Sequence, residues 1–139
     1  MSRVVIDTNV VVSALLFGKI PGRLVPMWRS SAIIPYISRE ILDEYIRVLS
    51  YSKFQLNENE IEYLIYRQVL PYFEVVKLPC FRPVIISEDP SDDMFIYCAK
   101  TAGASYIISG DRQLLGLKAF EQIRILTPAQ FAEHFDKKP

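Results

Sequence analysis

Two hydrophobic periods alternate along this chain. Short apolar runs rich in β-branched and aromatic residues occupy positions 3–6, 32–37, 73–76, 106–108 and 123–126. Such runs, bounded by polar or turn residues, read as buried strands. Between them lie longer segments with helical spacing. Residues 10–17 are apolar throughout and stop at Gly18 and Pro21; residues 22–30 form a second short helical segment. Ser38 is a good N-cap for a helix over 39–49, whose apolar stripe is Ile41, Leu42, Tyr45, Ile46 and Leu49. Asn57 and Glu60 form a capping-box pattern that opens a helix to about Leu70. Ser91 or Asp92 caps a helix to Ala102, and Gly103 closes it. Residues 112–115 make a short helical turn, and Thr127, Pro128 and Gln130 start a last helix. Pro35 inside the second run predicts an edge position or an irregularity there. Residues 77–88 read as a proline-bearing loop, with a short extended piece at 84–86, and residues 137–139 as a frayed tail.

Strands that alternate with helices predict an α/β fold: a three-layer sandwich of one parallel five-stranded sheet with helices on both faces. With 139 residues, half of them hydrophobic, and no linker or repeat, the chain suits a single domain over 1–139. In parallel sheets of this kind the functional crevice lies at the carboxyl ends of the strands. Asp7 ends the first predicted strand and Asp111 follows the fourth, while Asp89, Asp92 and Asp93 stand before the helix that precedes it.

Each acid has two readings. Asp7, Thr8 or Asn9 can cap the following helix, but Asp7 lies one step inside an apolar run, where a carboxylate needs a partner such as a metal. Glu40, Asp43 and Glu44 lie off the apolar stripe of their helix, either as a solvated face or with one of them turned to the site. Convergence of Asp7, Asp93 and Asp111 on one edge is harder to ascribe to capping than any one of them. Gathered carboxylates suit a hard divalent cation.

Composition narrows the chemistry further. Sixteen basic residues balance 16 acidic ones, so any cationic surface for a polyanion is local. The lone histidine, His134, lies near the C-terminus, which argues against a histidine-based triad and against multi-histidine metal sites, and no CxxC pair is present. Cys98 falls among apolar helix residues and reads as a buried free thiol rather than half of a disulfide with Cys80. No signal peptide is visible and no stretch approaches the length of a membrane span, which predicts a cytoplasmic protein.

Four segments together resemble the PIN domain family, in particular the small prokaryotic PIN proteins related to VapC-type toxins of toxin–antitoxin systems. They are Val-Ile-Asp-Thr-Asn-Val at 5–10, the helix over 38–49 with Glu44, Asp-Pro-Ser-Asp-Asp-Met-Phe at 89–95, and Tyr-Ile-Ile-Ser-Gly-Asp at 106–111. Each segment is weak alone; the four in this order are specific. The resemblance implies metal-dependent cleavage of RNA with Mg2+ or Mn2+, a homodimer, and an antitoxin protein as partner. It assigns four acids to Asp7, Glu44, Asp93 and Asp111, with Asp92 as a neighbour able to replace Asp93. Asn9 and Ser109 become supporting polar groups. The chain is longer than compact toxins between the second strand and the third acid, through the 57–70 helix and the loop to Glu88.

The implied chemistry suits this residue set. Phosphodiester hydrolysis needs an activated water and relief of charge on the leaving oxygen, and a carboxylate-held divalent cation serves both ends. Asp7, Asp93 and Asp111 are the expected metal ligands, directly or through water, and Glu44 completes the site or orients the water. Arg112, Lys100, Arg39 and Lys53 are candidate phosphate contacts against a background of merely solvated surface cations. The rival class is a non-catalytic PIN-fold module that binds RNA or protein, for which metal-dependent turnover discriminates. An aspartate-nucleophile phosphatase wants a second aspartate where this chain has Asn9.

Overall fold

The structure, a computed structural model, describes residues 2–86 and 90–136, so Asp89 and the tail at 137–139 lie outside it. The chain runs β1 (Ser2–Ile6), α1 (Thr8–Leu16), α2 (Lys19–Gly22), α3 (Leu24–Arg29), β2 (Ile33–Ile37), α4 (Arg39–Leu49), α5 (Glu58–Tyr63), β3 (Glu74–Val75), α6 (Asp93–Ala102), β4 (Tyr106–Ile108), α7 (Arg112–Leu117), β5 (Ala119–Phe120), β6 (Ile123–Leu126) and α8 (Pro128–Asp136). The strands form one sheet in the order β3-β2-β1-β4-β6-β5.

The five expected strands are present and mutually parallel. A sixth, β5, pairs antiparallel with β6 through Ala119↔Arg124 and Phe120↔Ile123. It was not legible because its turn is made by Glu121 at φ 54°, a residue with none of the glycine or asparagine signature of tight hairpins. Lys118, at φ 61°, likewise bends the chain into this strand. The third strand shrinks to Glu74–Val75, and 84–86 is not a strand. Pro35 sits inside a strand with neighbours on both sides, yet β3 pairs only with Tyr36 and Ile37. At Pro35 the outer side of β2 is therefore still an edge, where a missing N–H breaks no ladder.

Val4, Val5 and Ile6 of β1 and Ile107 and Ile108 of β4 are all fully buried, so consecutive residues, which point to opposite faces, are both covered. This accounts for the continuous apolar runs of the central strands: each face carries helices. Full burial of one such side chain stabilises by roughly 1.5–3 kcal/mol. Two helix signals act as expected. Asn57 and Glu60 form the reciprocal capping box of α5, and Gly103 takes the left-handed C-cap of α6 at φ 65°. Beyond α5 the helix continues as a wider π-helical segment, Leu64–Val69.

Each parallel strand delivers its next residue to one edge of the sheet. Asp7 follows β1, Ser38 follows β2 and Ser109 follows β4. α6 ends at the turn that enters β4, so its start, at Asp92 and Asp93, lies at that same carboxyl edge.

Candidate active site

Asp7, Thr8, Ser38, Asp93 and Ser109 are the buried polar or charged residues among those described. All five stand at the carboxyl edge. Burying such groups is costly unless each has a partner, so their partners define the site.

Asp7 is 5% exposed. It occupies the N-cap position of α1, yet its side chain makes no cap hydrogen bond. Instead the Ser109 hydroxyl donates to its Oδ2 at 2.6 Å. Ser109 Oγ in turn accepts from the Asp111 backbone N–H at 2.9 Å. The backbone makes the same join: Asp7 N–H donates to the Ile108 carbonyl at 2.9 Å. Burial pushes the Asp7 carboxyl above its ordinary value. The Ser109 hydrogen bond and the Asn9 backbone pull it down, and the negative charges of Asp111 and Glu44 raise it again. Thus Asp7, Asp111 and Glu44 share one electrostatic neighbourhood.

Glu44 is partly buried rather than part of a solvated face. Its Oε2 accepts a hydrogen bond from the Thr8 hydroxyl, next to Asp7 in the chain. Its Oε1 pairs with Arg47 at 3.2 Å. Tyr45, read from the sequence only as core, also positions this edge: its fully buried phenol donates to the Ile6 carbonyl at 2.5 Å, one residue before Asp7. Thr8, Tyr45 and Arg47 were missed as site residues. The adjacency of Thr8 to Asp7 was the one available signal.

Asp111 caps α7, its Oδ1 accepting from Gln113 N–H at 2.9 Å and Leu114 N–H at 3.1 Å. Neither Asp7 nor Asp111 forms an ion pair among the described residues. Gly110, between Ser109 and Asp111, has no positive φ, and a Cβ there would meet open space.

Asp93, an expected metal ligand, is also engaged by a loop: Ile85 N–H donates to its Oδ2 at 2.8 Å and Ile86 N–H to its Oδ1 at 2.9 Å. Tyr97, one turn along α6, donates its hydroxyl to the Pro83 carbonyl in the same loop at 2.7 Å. Asp93 and Tyr97 therefore form one face of α6 that straps residues 83–86. Asp92 already has helical backbone angles, φ −74° and ψ −15°, and is half-buried. Three, four and seven residues on, its face carries Phe95, Ile96 and Ala99, all fully buried. Asp92 thus continues the sheet-facing side of α6 to the carboxyl edge.

Among the described residues no group of three or more acids, histidines or cysteines stands close enough to hold a metal ion. The donor chemistry of this edge nevertheless suits a hard cation: oxygens only, and two carboxylates without cationic partners among the described residues, one of them, Asp7, with its charge disfavoured first by burial and then by its acidic neighbours. Of the candidate phosphate contacts, Arg112 is exposed beside Asp111, and Arg39 at the start of α4 pairs loosely with Asp43 at 3.8 Å. Lys100 is not at the site. It lies near the far end of α6, paired with Glu121 at 3.1 Å, because seven helical residues carry it about 10 Å from Asp93. No helix among the described residues is long and apolar enough to cross a membrane.

The family model for the PIN domain matches residues 3–113, well over half of the chain. An uncharacterized protein of Methanocaldococcus jannaschii, MJ1680, is 32% identical over 150 aligned positions, covering 97% of this chain and 92% of its own. Two solved structures share the fold at 12% identity. The crystal structure of PAE2754 from Pyrobaculum aerophilum superposes with a TM-score of 0.62, over 99% of this chain and 97% of that one. The crystal structure of VapBC2 from Rickettsia felis, bound to a DNA fragment from its promoter, gives 0.58 over 88% and 96%. From the order of its strands to the acids at their carboxyl edge, the chain belongs to the PIN domain family.

Proposed function

We propose that this PIN domain is a divalent-metal-dependent endoribonuclease whose ligands are Asp7, Asp111 and Asp92, with Glu44 completing the site. The observation that carries the reading is the carboxyl edge itself: the buried polar groups collect there, and buried Asp7 feels the negative charges of Asp111 and Glu44, of which only Glu44 has a cationic partner among the described residues, Arg47. PIN domains are generally nucleases that use divalent metals, and our reading is Mg2+ or Mn2+. Such an ion would supply Lewis-acid stabilisation of the phosphodiester and would lower the pKa of water, so that hydroxide is available as the nucleophile near neutral pH.

The chain's own residues supply position. Ser109 fixes the carboxylate of Asp7 from one side, and the Asp7 backbone is anchored between β4 and α1. Thr8 fixes Glu44, leaving that carboxylate able to orient a water or accept its proton. Asp111 spends one oxygen on α7 and keeps the other for the site. Asn9 remains a supporting polar group at the start of α1. Asp93 holds the loop at 83–86 and acts as a positioning residue. This assigns the third acid to Asp92, on the face of α6 that leads to the sheet.

The likeness of fold to VapBC2 supports a toxin role in a type II toxin–antitoxin pair, with RNA as substrate, a protein antitoxin as partner, a homodimer as working unit and the cytoplasm as location. The test is cleavage of structured and single-stranded RNA by wild type, Asp7→Asn and Asp92→Asn, purified in parallel, with Mn2+ and with a chelator. The reading expects manganese-dependent cutting that both variants lose by two or more orders of magnitude. Cutting of equal strength in wild type and Asp7→Asn, or cutting indifferent to chelator, overturns it. Growth arrest on induction, relieved by a co-expressed small protein, tests the toxin role separately.

A further inference from the structure

The acids that suit a cation also repel an RNA strand, so a substrate must be met by cations and base-binding surfaces beside them. Two groups of cations and rings, joined by the Phe54 N–H bond to the Tyr51 carbonyl at 3.0 Å, lead outward from the site. Thr8 donates to Glu44, and Arg47 pairs with the other Glu44 oxygen. The second arm of Arg47 donates to the Tyr51 hydroxyl at 2.7 Å, and its guanidinium lies 5.9 Å from the centre of that ring. Tyr51 is 42% exposed, yet its ring is held in place. Two residues further, the Lys53 ammonium sits 5.1 Å from the centre of the Phe54 ring, and Phe54 packs at 6.0 Å against Phe17, which is 60% exposed. Lys53 forms no ion pair among the described residues.

The two ends of this path are fixed by the same helix. α1 starts at Thr8 beside Glu44, and the chain leaves it at Phe17 beside Phe54. Nine residues of helix span about 14 Å. Exposed aromatic rings alternating with cations, in line with a phosphodiester-cleaving centre, are the composition that single-stranded nucleic acid requires. Bases stack on rings and guanidinium planes, and phosphates meet the ammonium groups. A face built to bury a second protein would carry unpartnered aliphatic side chains; here the rings stand beside cations and one phenol is already hydrogen-bonded.

We propose that Arg47, Tyr51, Lys53, Phe54 and Phe17 form a track that holds a single-stranded RNA segment leading to the carboxylate edge. The proposal rests on the ribonuclease reading for its occupant but is tested by binding alone. Asp7→Asn serves as a background that does not cut, and fluorescence anisotropy of a short labelled oligouridylate reports affinity. In that background Tyr51→Ala and Phe17→Ala each raise Kd about tenfold or more, as loss of one stacked base does. Tyr51→Phe, which keeps the ring, stays near the background value. Lys53→Gln lowers the salt dependence of log Kd by about 0.7 per decade of salt, one phosphate's worth on a single strand. Thermal melts of all variants match the background, since these side chains lie at the surface. Alanine variants that melt normally and bind as the background does overturn the track and leave the patch to a protein partner. A background protein that binds no oligouridylate overturns it too, whereas wild-type cleavage in the same experiments leaves the nuclease reading standing.

Discussion

Ser109 donates its hydroxyl to Asp7 over 2.6 Å, although 102 positions separate them in the chain. The contact exists because β1 and β4 are neighbours in register, Ile6 opposite Ile108, so the residues just past each strand meet. Removing the hydroxyl leaves a buried carboxylate without its side-chain donor. Ser109→Ala is expected to lower affinity for the divalent ion, or metal-dependent cleavage, by roughly 10–100-fold, as loss of a group that orients a ligand does. Titration of cleavage rate against Mn2+ checks this; an unchanged midpoint and rate contradict it.

The Asp7 carboxyl titrates above its ordinary value of 3.8, chiefly through burial. The folded protein therefore holds this proton more tightly than the unfolded chain does. Between the ordinary value and the raised one, folding binds a proton, so the contribution of Asp7 to stability falls as pH rises through that window. Asp7→Asn removes the penalty. Without metal, the variant is expected to be more stable than wild type at neutral pH, with the gain vanishing below the ordinary carboxylate range. Urea unfolding at both pH values measures it, and divalent ion should stabilise wild type more than the variant.

Asp92 and Asp93 are adjacent but separable. Asp93→Asn loses one of two acceptor oxygens that hold the Ile85 and Ile86 amides, and is expected to destabilise by about 1–3 kcal/mol while cleavage persists at a reduced level. Asp92→Asn is expected to abolish cleavage with little change in stability. The two melting curves and two rates, read together, decide between the assignments; the reverse pattern returns the third acid to Asp93.

Burial also sets the reactivity of the cysteines. Cys98 is fully buried, and its thiol is pushed up to about 12, whereas Cys80 is exposed. Iodoacetamide at mildly alkaline pH is expected to alkylate Cys80 alone in the folded protein and both cysteines in urea. Mass spectrometry counts the adducts, and rapid double labelling of the native protein refutes the expectation.

Much of the fold was legible because parallel strands buried on both faces write continuous apolar runs, as Val4, Val5 and Ile6 do. Asp7 was legible as an acid stepping off such a run. Periodicity could not decide Glu44, because its role comes from Thr8, a residue on another helix. Nor could it separate Asp92 from Asp93: both precede the same apolar segment, and only the position of the 83–86 loop shows which one the loop takes. Tyr45 hid inside the apolar stripe, since a core tyrosine and one that anchors a strand end by its hydroxyl look alike in sequence. Strand β5 depended on a left-handed glutamate that carries no turn signature.

Both flanks of the sheet, β3 and β5, are only two residues long. A long flat flank would offer a row of unpaired amides and carbonyls to any other chain in crowded solution, and so template stacking into insoluble fibres. Here each side offers a ladder too brief to propagate. Flanks this brief give the very apolar central strands between them little with which to recruit a second copy edge to edge.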